Sequence, residues 1–128
     1  MADPSQVVRD FCDAWATLKA DKVCSYFTDD AVWINMPNED RPTIGRQALE
    51  TSIGRLFGML AGCEFAVKHL TAGGSIVLTE RVDTMRWPDR SASIPVMGIF
   101  ELRGDKIAAW RDYYDAATWQ KRSAPPQQ

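Results

Sequence analysis

The sequence predicts an α+β fold, with helices gathered early and antiparallel strands in succession later. Three observations predict it. Apolar residues recur at helical spacing before residue 61, period-two runs follow Cys63, and Gly73-Gly74, Trp87-Pro88-Asp89-Arg90 and Gly104-Asp105 punctuate those runs as turns.

The elements follow in order. Asp3-Pro4 is a helix start, an N-cap followed by proline at the first helical position. Val7, Val8, Phe11, Trp15 and Leu18 then form one apolar stripe to about residue 19. Asp21 caps a second, short helix carrying Val23, Cys24, Tyr26 and Phe27, which Thr28-Asp29-Asp30 breaks. Ala31 to Met36 reads as a strand ended by Pro37, and Asn38 to Pro42 as a polar loop. Gly45 opens a third helix, Arg46 to about Leu60, with Leu49, Ile53, Leu56, Phe57 and Leu60 on one side. Four strands come next: Cys63 to Leu70, Ser75 to Arg86, Ser93 to Leu102 and Lys106 to Asp115. A short helix is expected at Ala116 to Lys121. Residues 1–122 are expected to form a single domain, and 123–128, with Pro125-Pro126, a disordered tail.

A strongly curved sheet with helices on its concave side encloses a deep pocket, leaving the other sheet face for a partner subunit. The third of the four late strands is apolar on both faces, with Ile94, Val96, Phe100 and Leu102 on one and Pro95, Met97 and Ile99 on the other. That pattern fits a dimer, or a helix lying across the back.

Composition excludes several function classes. A net charge of −2 with no basic block offers no footprint for nucleic acid or an anionic membrane. No apolar run is long enough to span a bilayer. Met1-Ala2-Asp3-Pro4 lacks a secretory leader's basic and hydrophobic regions. Three widely spaced cysteines, Cys12, Cys24 and Cys63, favour reduced buried thiols and a cytoplasmic location over a disulfide framework. With one histidine, His69, and no cysteine pair at ligand spacing, no metal site is expected. His69 reads as an ordinary strand residue.

The chemistry lies on two strands. Side chains two apart share a face, so Arg81 and Asp83 point with Val77, Thr79 and Met85, and Asp112 with Ala108, Trp110 and Tyr114. Charges in an apolar row are costly to bury unpaired. Two close carboxylates with one arginine settle most cheaply by sharing a proton, which leaves one acid and one base in a single pocket. The same physics also serves a purely structural ion-pair network. Asn35 shares a face with Trp33 and Ala31, where it can orient a water beside Asp112 or simply begin the turn at Pro37.

Trp33-Ile34-Asn35-Met36-Pro37, Thr79-Glu80-Arg81-Val82-Asp83 and Trp110-Arg111-Asp112-Tyr113-Tyr114-Asp115, in that order, resemble the signature segments of limonene-1,2-epoxide hydrolases. Gly45-Arg46, Gly98-Ile99-Phe100 and Gly104-Asp105-Lys106-Ile107 also fit, so the resemblance extends from the first helix to about residue 119. It implies the cone-shaped α+β fold of nuclear transport factor 2 and ketosteroid isomerase, a mixed or antiparallel sheet with N-terminal helices over its concave face. It also implies a homodimer, no cofactor, and an epoxide and water as substrates, and the apolar residues around the charged trio favour a lipophilic epoxide, terpene-like or cyclic. By resemblance Asp112 is the general base, Asn35 helps hold the attacking water, Asp83 is the neutral general acid and Arg81 orients both aspartates. The family has a tyrosine where this chain has Trp33, and an indole N–H donates a hydrogen bond but accepts none. The expected pocket wall is Trp33, Leu56, Phe57, Leu60, Met85, Ile94, Val96 and Tyr114, with Trp15 or Phe11 from the first helix. An epoxide-opening cyclase, a ketosteroid-isomerase-like enzyme and a non-catalytic binding module stand as alternatives on the same fold.

Overall fold

A computed structural model describes residues 3–127. Met1 and Ala2 of the leader reading, and Gln128 of the expected tail, lie outside the described residues. The helices are α1 (Pro4–Ala14), α2 (Ala20–Cys24), α3 (Arg46–Phe57) and α4 (Ala116–Ser123). The strands are β1 (Phe27–Met36), β2 (Thr43–Ile44), β3 (Gly62–Gly73), β4 (Ile76–Trp87), β5 (Arg90–Arg103) and β6 (Lys106–Tyr113). They form one six-stranded sheet in the order β2-β1-β6-β5-β4-β3. The β1–β6 pair is parallel and the others antiparallel, so the sheet is mixed.

Asp3 caps α1, its carboxylate accepting from the Ser5 N–H at 3.0 Å. The first helix is shorter than its apolar stripe. It tightens into a 3-10 turn at Trp15–Thr17 and stops at Leu18, whose φ of 54° is left-handed. Phe11 meets Trp15, Tyr26, Phe27, Phe100 and Trp110 edge-on at 5.1–6.1 Å between centroids. Edge-on ring pairs contribute roughly 0.5–1.5 kcal/mol each beyond area burial, so this cluster anchors α1 over the inner face of the sheet.

Three expectations are corrected. Phe27 and Thr28-Asp29-Asp30 belong to β1, not to a second helix and its break. Tertiary partners hold them extended: Ile107 N–H donates to the Tyr26 carbonyl at 2.8 Å, Arg46 pairs with Asp29, and Arg103 pairs with Asp30. Lys19, not Asp21, is the N-cap residue of α2, and Asp21 lies in its first turn. In β6 the ladder slips between the Ala109–Glu101 and Ile107–Leu102 pairs, so both Ile107 and Trp110 are buried and Ala108 leaves the face of Asp112.

The inner face of β5 is buried at Ile94, Val96, Phe100 and Leu102, whereas Met97 on the outer face is 49 % exposed. His69 sits on β3 and meets Glu80 at 2.8 Å at the surface. All three cysteines are free and buried. Burial pushes each thiol up to about 12. Among the described residues, no helix is long and apolar enough to cross a membrane.

Candidate active site

The site is a crossing of three strands. β5 lies between β4, which carries Arg81, and β6, which carries Asp112. Thr79 is opposite Gly98, and Gly98 is opposite Asp112. A Cβ at Gly98 would lie 2.5 Å from Arg81 Nη1 and 2.7 Å from Asp112 Oδ1. The missing side chain is the gap through which Arg81 reaches across β5.

Arg81 is 0 % exposed, Asp83 6 % and Asp112 4 %. Arg81 Nε donates to Asp83 Oδ1 at 3.0 Å and Nη2 to Asp83 Oδ2 at 2.8 Å. Nη2 also donates to Asp112 Oδ2 at 2.8 Å, and Nη1 donates to Asp112 Oδ1 at 3.1 Å and to Thr79 Oγ1 at 3.2 Å. These five bonds match the five N–H groups of a guanidinium. Trp110 Nε1 donates to Asp112 Oδ1 at 2.7 Å. The guanidinium carbon stands 4.8 Å from the centroid of the Phe65 ring, a cation–π contact that suits a desolvated cation.

Burial is the main influence on Asp83 and pushes its carboxyl up to about 6, against the bonds from Arg81 and with help from the charge of Asp112. Burial opposes the Arg81 charge, but Asp112 and Asp83 together outweigh it and hold the guanidinium protonated. The Tyr114 hydroxyl is raised by burial and then by Asp112.

The carboxyls of Asp83 and Asp112 face a cavity of about 230 Å³. Of the sequence-predicted residues, Asn35, Trp33, Leu56, Met85, Ile94, Val96 and Tyr114 line it, as does Trp15. Phe57 and Leu60 do not. Gly58 caps α3 just after Phe57, whose ring packs edge-on against Trp15 at 5.3 Å, so both side chains fill the core behind the wall. Phe11 likewise belongs to the core. Sequence reasoning missed Phe65, Trp87 and Trp119 in the wall, and placed Trp110 on the face of Asp112 without counting it as wall. Trp87 continues the period-two face of Arg81, Asp83 and Met85, and Phe65 pairs with Asp83 in register, so both were within reach of the strand pattern. No such signal marks Trp119 on α4, where it approaches Trp87 at 6.1 Å.

Asn35 lies opposite Asp112 in the parallel β1–β6 ladder, and Trp33 opposite Trp110. The Trp33 ring lies flat on Trp110, 4.7 Å between centroids and 5° between planes. Its Nε1 is buried without a hydrogen-bond partner, and so is Nε1 of Trp15. Among the described residues no cluster of histidine, cysteine or carboxylate side chains has an arrangement that could hold a metal. Chemically, the site offers a buried acid with a raised pKa, a carboxylate oriented by two donors, and an apolar wall.

Comparison with known proteins shows the family and the fold. Residues 8–110 match the SnoaL-like domain family. The chain is 32 % identical over 108 residues to the epoxide hydrolase EphG of Mycobacterium tuberculosis, covering 84 % of this chain and 70 % of that protein. A solved LEH-like epoxide hydrolase from M. tuberculosis superposes with a TM-score of 0.82 at 29 % identity, over 92 % of this chain and 86 % of that one. A hypothetical protein with a ketosteroid isomerase-like fold from Catenulispora acidiphila superposes equally well, with a TM-score of 0.82 at 18 % identity over 94 % of each chain, and shows the shared fold. The expected NTF2-like α+β architecture is therefore the observed one.

Proposed function

The chain belongs to the SnoaL-like domain family, and on that premise we propose that it is a cofactor-independent epoxide hydrolase acting on a lipophilic epoxide. The observation that carries this reading is Arg81 bridging two buried carboxyls at an apolar cavity. Asp112 takes a proton from a water that Asn35 helps to hold. The water oxygen bonds to one epoxide carbon as the ring C–O bond breaks. Asp83 gives its proton to the departing oxygen. Both Asp83 oxygens face Arg81 donors, so the acidic proton projects away from Arg81. Acid and base act in one step because an unprotonated alkoxide is a poor leaving group. Turnover leaves Asp112 protonated and Asp83 ionised, and proton exchange with solvent resets the pair. No covalent enzyme intermediate forms.

The same reading includes a homodimer, supported by Leu78, Met97 and Tyr113 exposed on the outer sheet face at 39–49 %. It also includes a single domain over residues 1–122 and a cytoplasmic location.

The test is a panel of styrene, cyclohexene and limonene epoxides with diol formation measured. Hydrolysis above background that vanishes in Asp112→Asn and Asp83→Asn supports the reading. Activity indifferent to both substitutions refutes the assigned roles. A single turnover in isotopically labelled water places label in the diol, and label recovered in an aspartate means a covalent route.

A further inference from the structure

A second cavity of about 250 Å³ adjoins the first and shares Trp33 and Asn35 with it. Its other walls are Asn38, Arg41 and Thr43, from the segment between β1 and β2 and from β2 itself. The two cavities differ in chemistry. The first is a largely aromatic and aliphatic chamber with two carboxyls. The second has no carboxylate in its wall, and every lining side chain carries an N–H or O–H donor. Arg41 is held by Asn38, whose Oδ1 accepts from Nη2 at 3.1 Å, which uses the oxygen and leaves the amide N–H₂ of Asn38 to donate. The Arg41 side chain, like that of Asp40, is largely exposed at the mouth of the annex, and the Asp40 carboxylate meets its Nε at 4.0 Å. Trp33 Nε1, on the partition between the chambers, has no acceptor in the protein. Because that atom is sealed within the wall, the donors that face a ligand in the annex are those of Asn35, Asn38, Arg41 and Thr43.

We propose that this donor-rich annex is a subsite for a carboxylate on the substrate, so that the epoxide taken by this chain is an epoxy acid. The inference rests on the hydrolase reading and deepens it. The apolar part of the substrate fills the first chamber, the epoxide lies between Asp83 and Asp112, and the carboxylate passes Asn35 toward Arg41. A guanidinium with amide and hydroxyl donors around it is a suitable receptor for that group. Below about pH 6 the trio in the first chamber does not repel the anion strongly, because Asp83 is then protonated and Arg81 balances the remaining carboxylate.

The experiment compares trans-3-phenylglycidate with trans-β-methylstyrene oxide, which carries a methyl in place of the carboxylate. In Arg41→Gln the ratio of kcat/KM for the acid to that for the neutral epoxide falls about tenfold, chiefly through a higher KM for the acid. A ratio unchanged within about twofold, where tenfold corresponds to one charge-assisted contact, overturns the subsite. Thr43→Val gives a smaller fall in the same direction and serves if Arg41→Gln does not fold. If the wild-type protein opens neither epoxide, the hydrolase reading is decided by the styrene, cyclohexene and limonene panel, and the annex is judged separately by quenching of tryptophan fluorescence with trans-cinnamate and trans-β-methylstyrene. Tighter cinnamate binding that is lost in Arg41→Gln sustains the annex. Equal binding of the two, or indifference to the substitution, overturns it.

Discussion

The two sides of the main cavity treat polar groups in opposite ways. On the β4–β6 side each N–H of Arg81 has an acceptor, and Asp112 receives a further bond from Trp110. On the β1 side the buried Trp33 Nε1 has no partner, and the Asn35 side chain enters no hydrogen bond in the described structure. The fold finishes one side by itself and leaves the other unfinished. A finished buried network is rigid and costly to break, whereas unsatisfied groups are where a ligand gains the most.

Removing the keystone of the finished side has the largest expected effect. Arg81→Met leaves two buried carboxyls without their cation and lowers stability by roughly 3–5 kcal/mol, measured by urea denaturation. A loss near zero would mean that water already solvates the pair.

The Asp83 carboxyl comes next. Its pKa rises on folding from an ordinary 3.8 to about 6, so between those values the native chain binds more protons than the unfolded one. Stability is greatest below pH 4 on this account and falls as pH rises to 6, by at most about 3 kcal/mol. Asp83→Asn flattens that slope. If Asp83 is the acid, kcat/KM declines above pH 6, approaching tenfold per pH unit. A rate that rises through the same window would remove Asp83 from that role.

Gly98→Ala tests the crossing itself. The added methyl meets Arg81 and Asp112, and overpacking of this kind costs about 1–3 kcal/mol. Hydrolysis falls more steeply than stability, because the carboxyls are pushed off their donors. Equal falls in both would make Gly98 an ordinary packing position.

On the unfinished side the effects are small. Trp33→Tyr places a hydroxyl near Asn35 and changes stability by less than about 1 kcal/mol. Hydrolysis of limonene epoxide should rise severalfold if the indole leaves the water poorly held. An equal or lower rate assigns Trp33 a function of its own.

The finished side was also the more legible in the sequence. Period-two alternation along β4 puts Arg81, Asp83 and Met85 on one face without knowledge of any partner strand. The passage of Arg81 over Gly98 was not legible, because a glycine in a strand says nothing of what crosses it. Thr28-Asp29-Asp30 read as a breaker because local propensity opposes a strand there, and ion pairs to Arg46 and Arg103 override it. Leu56, Phe57 and Leu60 read as one helical face, but α3 ends at Phe57, whose ring packs against Trp15, and Leu60 lies beyond the helix, so only Leu56 reaches the cavity.

The state of the thiols has a chemical consequence. An epoxide is an alkylating agent, and the protein nucleophile it attacks most readily is a thiolate. If the proposed epoxide binds here, Cys12, Cys24 and Cys63, buried and with their pKa values pushed up to about 12, offer it no thiolate near neutral pH, and water is the nucleophile it meets. A host for such a compound is thereby shielded from being modified by its own guest.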